Sequence, residues 1–235
     1  MRKGMCEIME IIDFGVKDYG EVLEQQETLF HKLLEDKKEG RKSKEFLLLG
    51  EHLPVITMGR RAKETNLLVS EDFLSNNGVG FYHIGRGGDV TYHGPGQLIL
   101  YPIIDLCAHK LGVKQYVDLL EEAVIKLLKE YGIKGERVEG ATGVWIGKGT
   151  PEERKICAIG IKCSHFCTMH GIAINVSTDL RGFGLINPCG FQDKGVTSMK
   201  KELGRDIDMK EVKGKILHIL LGLIFPFEEI LDLLK

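Results

Sequence analysis

Apolar residues recur every three or four positions in three parts of the chain, which is the spacing of amphipathic helices. These parts are 19–38, 113–131 and 208–234. Within the last of them, the apolar run 216–225 is about half the length needed to cross a bilayer. The pattern therefore predicts a buried helix in a soluble protein that is not inserted in a membrane.

Short continuous apolar runs lie between these helical segments and predict strands. They cover 46–49, 79–84 and 97–106. Between 143 and 177, three further strand-like pieces follow one another without a helix-length interval. This order favours an antiparallel or mixed sheet over a purely parallel one, so the expected fold class is α/β (α+β), a mixed β-sheet flanked by helices.

Length and charge narrow the picture further. The 235 residues, 43% of them hydrophobic, suit a single domain spanning 1–235, with about 200–235 as a small helical C-terminal lobe. Lys and Arg number 32 against 34 Asp and Glu, a net charge of −2. With this balance the chain has no overall positive potential that would attract a phosphate backbone, and we expect no nucleic-acid partner.

Six cysteines occur in a chain whose first residues do not resemble an export signal, because Glu7, Glu10 and Asp13 interrupt that stretch. We therefore expect a cytoplasmic protein with reduced thiols. Each thiol is then a core residue, a metal ligand or a nucleophile.

Glycine is concentrated in 85–97, where five glycines surround Arg86, Tyr92 and His93. Closely spaced glycines let backbone N–H groups approach an anion or carbonyl, while the side chains supply donors and an apolar wall. The segment matches neither the P-loop nor the dinucleotide-binding pattern. A long glycine-rich turn without a ligand is the alternative.

Two further segments carry reactive side chains. Lys155 and Lys162 stand at the ends of an apolar strand, and their odd offset predicts that they point to opposite faces. Cys189 lies between Pro188 and Gly190 in a polar turn, which makes it the best candidate nucleophile. The activating groups open to it are Lys155, His83, His93 and His170.

A zinc site competes with this interpretation, because three cysteines and two histidines fall between 157 and 170. Structural zinc usually takes paired cysteines with a distant second pair, and no second pair exists here. We therefore expect packing and a variable loop in this segment, and no metal.

Four blocks of sequence together resemble the octanoyl-(acyl carrier protein):protein N-octanoyltransferases, also called lipoyl(octanoyl) transferases. The blocks are RGGDVTYHGPGQLILYP at 86–102, KICAIGIK at 155–162, MHGIAINV at 169–176 and TDLRGFGLINPCG at 178–190. The resemblance covers roughly 45–200 and implies a fold like that of the biotin and lipoate protein ligases.

The resemblance also implies an activity and its residues. An octanoyl group would pass from octanoyl-acyl carrier protein through a Cys189 thioester to a lysine ε-amine. The acceptors would be lipoyl domains of 2-oxoacid dehydrogenase complexes and the glycine cleavage H protein. Lys155 would lower the thiol pKa or act as the base, and neither ATP nor another cofactor would be needed. The implied acyl-site residues are Arg86, Gly87, Gly88, Asp89, Val90, Thr91, Tyr92, His93, Ala158, Ile159, Gly160, Gly171, Ile172 and Ala173.

The chemistry of an eight-carbon chain adds two expectations. It needs an apolar tunnel, for which Tyr92, Ile172 and Ile174 are candidates. Arg60, Arg61 and Lys63 form a small basic cluster that would suit an acidic carrier protein, against the alternative of an ordinary solvated loop.

Two rival functions remain open from the sequence. An ATP-dependent lipoate or biotin ligase of the same fold would need no cysteine nucleophile. A non-catalytic module would bind a lipoyl domain or an acyl carrier without forming an amide.

Overall fold

A computed structural model of the chain describes residues 9–187 and 195–225. The proposed nucleophile Cys189 and the end of the expected C-terminal lobe lie outside the described residues. In chain order the strands are β1 (Met9–Lys17), β2 (Glu45–His52), β3 (Val55–Met58), β4 (Gly80–His83), β5 (Val90–His93), β6 (Gln97–Ile103), β7 (Glu136–Val138), β8 (Ala141–Ile146), β9 (Arg154–Ser164), β10 (Cys167–Asn175) and β11 (Gly195–Val196). The helices are α1 (Tyr19–Lys38), α2 (Glu71–Asn76), α3 (Val113–Glu130), α4 (Met199–Leu203) and α5 (Met209–Ile224), with short 3-10 helices at Glu64–Asn66 and Leu180–Leu185.

The larger of two sheets has the strand order β1-β2-β6-β10-β9-β8-β7, with β11 added beside β9. The β1–β2 and β11–β9 pairs are parallel, whereas the central pairs are antiparallel. The mixed sheet predicted from consecutive strands without intervening helices is therefore confirmed.

Both faces of this sheet are covered, which explains the continuous apolar runs in its strands. On β2, Leu47 and Leu49 belong to the core that includes α3 and α5, whereas Phe46 and Leu48 belong to the core that includes α1. Successive side chains of a strand point to opposite faces, and here both faces are buried. Helix α5 shares the core of α3 through Val212, Ile216, Leu220, Leu221 and Ile224.

The smaller sheet has the order β4-β3-β5 and carries the glycine-rich segment at the end of β4. Its core includes Ile56, Leu74 and Tyr92 together with Phe183 of the second 3-10 helix. The loop between β4 and β5 is consequently anchored on a packed unit.

No helix in the described ranges is both long and apolar enough to cross a bilayer. The run that begins at Ile216 lies in α5, where Ile216 and Leu220 are fully buried against the sheet and α3.

Candidate functional site

A cavity of about 440 Å³ lies where the two sheets meet. Its wall draws on both sheets, α1 and the second 3-10 helix, and it contains most of the residues predicted for the acyl site. Those predicted residues are Lys155, Arg86, Gly87, Gly88, Asp89, Val90, Thr91, His93, Ala158, Ile159, Gly160, Gly171, Ile172 and Ala173. Volumes of this size are typical of small-molecule sites.

Small residues on two neighbouring strands leave room for this cavity. Ala158 of β9 pairs with Ala173 of β10, and Gly160 pairs with Gly171 two positions further along. Residues two apart on a strand lie on the same face, so the two pairs form one patch without bulky side chains. Ile172, in turn, supplies apolar surface to the wall.

The glycine-rich loop closes over this patch at very short range. Gly87 N–H donates to Ile161 O at 2.8 Å, and a Cβ on Gly160 would lie 2.8 Å from Gly87 O. A side chain at position 160 would therefore push the loop away. This close approach gives a physical reason for glycine at that position.

Arg86 ties the loop to the smaller sheet. It is 7% exposed and donates from Nη2 to Thr57 O at 2.8 Å and to Thr57 Oγ1 at 2.9 Å. Asp89 also holds the loop, accepting from Val90 N at 2.7 Å and from Asn66 Nδ2. These contacts fix the loop conformation as well as presenting side chains to the cavity.

Tyr92, which was expected to line the acyl tunnel, is not among the described residues of the cavity wall. Val90, Thr91 and His93 of β5 are in the cavity wall, whereas the Tyr92 ring packs against Phe183 in the core of the smaller sheet. Ile174 is likewise absent from the cavity wall and lies in the core with α3.

Two histidines lie at the polar end of the cavity. Burial, with smaller contributions from His52 and Arg86, lowers the pKa of His93 to about 3. Burial, then Arg86 and Lys162, lowers the pKa of His170 to about 3. Both rings are therefore neutral at pH 7.

A chain of side-chain amides links His93 to the backbone beside Lys155. His93 Nδ1 lies 2.7 Å from Gln97 Oε1, and Gln97 Nε2 donates to Asn175 Oδ1 at 2.8 Å. Asn175 Nδ2 donates to Thr197 O at 2.9 Å, and Thr197 N donates to Lys155 O at 2.9 Å. The network fixes β6, β10 and the segment after β11 relative to one another.

The third histidine considered from sequence lies elsewhere. His83 is at the end of β4, 59% exposed, with Nε2 4.0 Å from Glu64 Oε1. It is not among the residues of the cavity wall.

Lys155 is also part of the cavity wall. Its Nζ donates to Thr142 O at 3.2 Å and lies 4.5 Å from the centre of the Trp145 ring. Lys162 is not part of the wall, and its Nζ lies over Phe30. Of the two strand lysines, the structure brings Lys155 to the site.

The thiols of the described residues differ in environment. Cys157 is fully buried, and burial raises its pKa, whereas Cys107 is exposed. Burial and the nearby Asp105 raise the pKa of Cys167 to about 11. Among the described residues, no group of three His, Cys, Asp or Glu side chains is arranged to hold a metal ion.

Comparison with known proteins places this site in a family. The lipoyl protein ligase A/B catalytic domain matches residues 18–220. An octanoyltransferase of Parabacteroides distasonis is 52% identical over 88% of this chain and 94% of its own length, and one of Bacteroides thetaiotaomicron is 48% identical over 88% and 91%. The chain belongs to the octanoyltransferase family. It is an acyltransferase.

Solved structures similar to this octanoyltransferase family member confirm the fold. The bipartite lipoate protein ligase of Thermoplasma acidophilum superimposes with a TM-score of 0.66 at 17% identity, covering 98% of this chain and 91% of that one. The biotin protein ligase of Aquifex aeolicus gives 0.53 at 18% identity, covering 94% and 72%. The predicted biotin and lipoate ligase fold is therefore correct.

Several residues of this octanoyltransferase site were missed by sequence reasoning. Tyr19, Gln97, Tyr101, Trp145 and Asn175 all line the cavity. Gln97 lies within the 86–102 block and Asn175 within the 169–176 block, so their positions in those blocks were a usable signal. Tyr19 lies at the first turn of α1, far from every motif, and offered none.

Proposed function

We propose that this protein transfers an octanoyl group from octanoyl-acyl carrier protein to the ε-amine of a lysine on lipoyl domains. The acceptors are those of the 2-oxoacid dehydrogenase complexes and the glycine cleavage H protein. Its membership in the octanoyltransferase family supports the octanoyl group and the use in lipoylation. The donor, acceptor and covalent intermediate are part of the proposal.

The observation that carries the proposal is Lys155 in the wall of a cavity floored by small residues. β11 pairs with β9 so that Gly195 lies opposite Arg154 and Val196 opposite Lys155. Cys189 precedes Gly195 by only six positions in the sequence, and this short separation supports the proposal that its thiol reaches Lys155. An amine beside a thiol supplies the charge and the base that acyl transfer requires.

The reaction has two balanced steps. The Cys189 thiolate attacks the carrier thioester, so that the octanoyl–sulfur bond to pantetheine breaks as the bond to Cys189 forms. The pantetheine sulfur takes a proton from the Lys155 ammonium and leaves as the thiol, so that Lys155 is a neutral amine for the second step. The substrate amine then attacks the acyl-enzyme, Lys155 takes up the proton, and the Cys189 thiolate is released as the amide forms. Neither step consumes ATP.

The two buried histidines of the cavity fit an uncharged acyl group and its carbonyl, while the Arg86 guanidinium adds a positive charge to the same wall. His93 and His170 are neutral there, and the ordered backbone of 86–90 offers N–H groups near the wall. A free carboxylic acid and an adenylate, which a ligase would bind, are not part of this scheme.

Mass spectrometry after incubation with octanoyl-acyl carrier protein tests the proposal. We expect an octanoyl adduct on Cys189 that disappears when an apo-lipoyl domain is added, and no amide from the Cys189→Ala variant. Cys107→Ala removes an exposed thiol outside the cavity and serves as the control. Full activity of Cys189→Ala, or an absolute requirement for ATP, would support a ligase instead, and a complex without amide would support a binding module.

Lys155→Arg tests the role of the amine. Guanidinium keeps the charge but cannot act as a base near neutral pH, so we expect transfer to fall by about 10²-fold or more. Lys162→Arg, at the other end of the same strand, is the matched control. Near-normal transfer by Lys155→Arg would assign the base to a histidine.

The basic cluster is a secondary part of the proposal. Arg61 reaches the cavity wall, while Arg60 and Lys63 are exposed beside it. We expect Arg60→Glu to raise the KM for octanoyl-acyl carrier protein and to weaken its salt dependence. An unchanged KM and salt dependence would move the carrier-docking surface elsewhere.

A further inference from the structure

One peptide group lies between a buried carboxylate and the cavity lysine. The N–H of the Thr142–Gly143 peptide donates to Glu121 Oε1 at 2.9 Å. The C=O of that same peptide accepts from Lys155 Nζ at 3.2 Å. Glu121 and Lys155 are therefore connected through a single polar unit.

The carboxylate in this arrangement is well enclosed. Glu121 lies on α3 and is 6% exposed, and its second oxygen, Oε2, accepts from Arg137 Nε at 3.1 Å. Arg137 is 42% exposed and also contacts Glu122 Oε2 at 2.9 Å. A buried carboxylate facing a backbone N–H makes a strong, charge-assisted hydrogen bond.

The peptide itself has little freedom to move. Gly143 has a φ of +120°, and a Cβ at that position would lie 2.5 Å from Cys157 O. The next strand residues add a second constraint, because Trp145 Nε1 donates to Ala141 O at 2.8 Å. The Thr142 carbonyl and the Trp145 ring, which both contact Lys155 Nζ, thus belong to one rigid stretch of β8.

Hydrogen bonds in series polarise one another. A negative charge at the N–H end increases the partial negative charge on the carbonyl oxygen at the other end. That oxygen then attracts an ammonium more strongly than it attracts a neutral amine. The charge of Glu121 consequently acts on the protonation and the position of Lys155 without any direct contact.

We propose that Glu121 is a positioning residue for Lys155, acting through the Thr142–Gly143 peptide to hold the lysine at the cavity and to favour its ammonium form. The proposal deepens the function proposed above and rests on it for the catalytic role of Lys155. Arg137 opposes Glu121, because it neutralises part of the carboxylate charge.

Competitive labelling of the whole protein with acetic anhydride across a pH series tests this directly, with peptide mass spectrometry reporting on Lys155. In Glu121→Gln, which keeps the size and the acceptor but removes the charge, we expect the midpoint of the Lys155 labelling curve to move to lower pH. In Arg137→Met we expect a smaller shift to higher pH. A change in exposure alone would alter the labelling plateau and leave the midpoint in place.

Glu122→Gln is the matched control, since Glu122 contacts Arg137 but not the peptide. We expect it to leave the midpoint within about 0.2 units. Equal midpoints in Glu121→Gln and in the unaltered protein would overturn the proposal. If Glu121→Gln fails to fold, the exposed Arg137→Met variant decides, and a shift to lower pH or no shift in that variant would also overturn it.

Labelling does not depend on acyl transfer, so the two proposals fail separately. A labelling shift without any change in the pH profile of octanoyl transfer would support the effect of Glu121 on Lys155 and would contradict the catalytic role of Lys155. If the Cys189 adduct forms normally and the labelling curve of Glu121→Gln does not move, the proposed transferase activity is supported and the positioning role of Glu121 is contradicted.

Discussion

His93 donates its Nδ1 hydrogen to Gln97 Oε1 across 2.7 Å. The direction follows from the neighbours of Gln97, whose Nε2 donates to the carbonyl of Tyr92 at 3.2 Å and to Asn175 Oδ1 at 2.8 Å. Asn175 is itself oriented by the Thr197 carbonyl, which can only accept. The oxygen of Gln97 therefore faces His93, and the neutral ring carries its proton on Nδ1 and leaves Nε2 as an acceptor.

Gln97→Met removes this arrangement while roughly keeping side-chain volume. Three buried polar partners then lose a hydrogen bond, and we expect the free energy of unfolding to fall by about 2–4 kcal/mol. Urea denaturation measures the loss. The exposed cap residue Gln115, whose Oε1 accepts only from Gly112 N, supplies a control, and Gln115→Met should cost about 1 kcal/mol or less. Similar losses in the two variants would contradict a special role for the Gln97 network.

Three buried histidines make the stability depend on pH. Burial is the main cause of lowered pKa values in all three, to about 4 for His52 and about 3 for His93 and His170. In the unfolded chain these groups titrate near 6.5, so the unfolded state binds more protons below that pH and stability is lost as the pH falls. Between its unfolded-state and folded-state pKa values, each histidine lowers the free energy of unfolding by about 1.4 kcal/mol for each unit by which the pH falls.

Between pH 7.5 and 5.5 we therefore expect these three groups to lower the free energy of unfolding by roughly 4 kcal/mol, measured by urea titrations at each pH. His93→Gln should remove about one third of this pH-dependent part. His31→Gln, on the exposed side of α1, should leave it unchanged. If the free energy of unfolding of the unaltered protein did not change between pH 7.5 and 5.5, these rings would be taking up protons in the folded state as well.

Gly143→Ala tests the tight approach of β8 to β9. The new Cβ would meet Cys157 O at 2.5 Å, and the φ of +120° is unfavourable for a residue with a side chain. We expect a loss of about 2–4 kcal/mol, which corresponds to a drop in Tm of roughly 4–16 °C for a chain of this size. Gly184→Ala, where no atom lies within 4 Å of the added Cβ, should change Tm by about 2 °C or less. Equal melting temperatures for the two variants would contradict the contact.

The fold was predictable because its signals are local or repeat along the chain. Helices α1 and α3 were expected from apolar spacing at 19–38 and 113–131, and they are found at Tyr19–Lys38 and Val113–Glu130. The glycine-rich segment was identified by density alone, and the structure explains that density by the contact of Gly87 with Ile161.

Other features of the site could not be predicted, for physical reasons. Glu121 lies on an amphipathic helix, 34 positions before Lys155, where an acidic residue ordinarily faces solvent. Only the packing of α3 against β8 turns it inward to Gly143. Tyr92 was placed in the cavity by its neighbours in the sequence, and only the packing of its ring against Phe183 keeps it out of the wall.

Ala173→Leu tests whether the patch of small residues sets the length of the acyl chain. Ala173 is 5% exposed, lines the cavity and pairs with Ala158, so a larger side chain there would take up cavity space. Leucine adds three carbons, and each displaced methylene of the substrate is worth about 0.8 kcal/mol, or roughly a factor of four. We expect kcat/KM for octanoyl donors to fall about 10- to 60-fold relative to hexanoyl or butanoyl donors.

Transfer assays with donors of four, six and eight carbons give this ratio directly. Ala108→Leu adds the same side chain at an exposed turn and should leave the preference unchanged. A uniform loss across all three donors in Ala173→Leu would indicate general disruption of the site. An unchanged preference would place the acyl chain away from the Ala158–Ala173 pair.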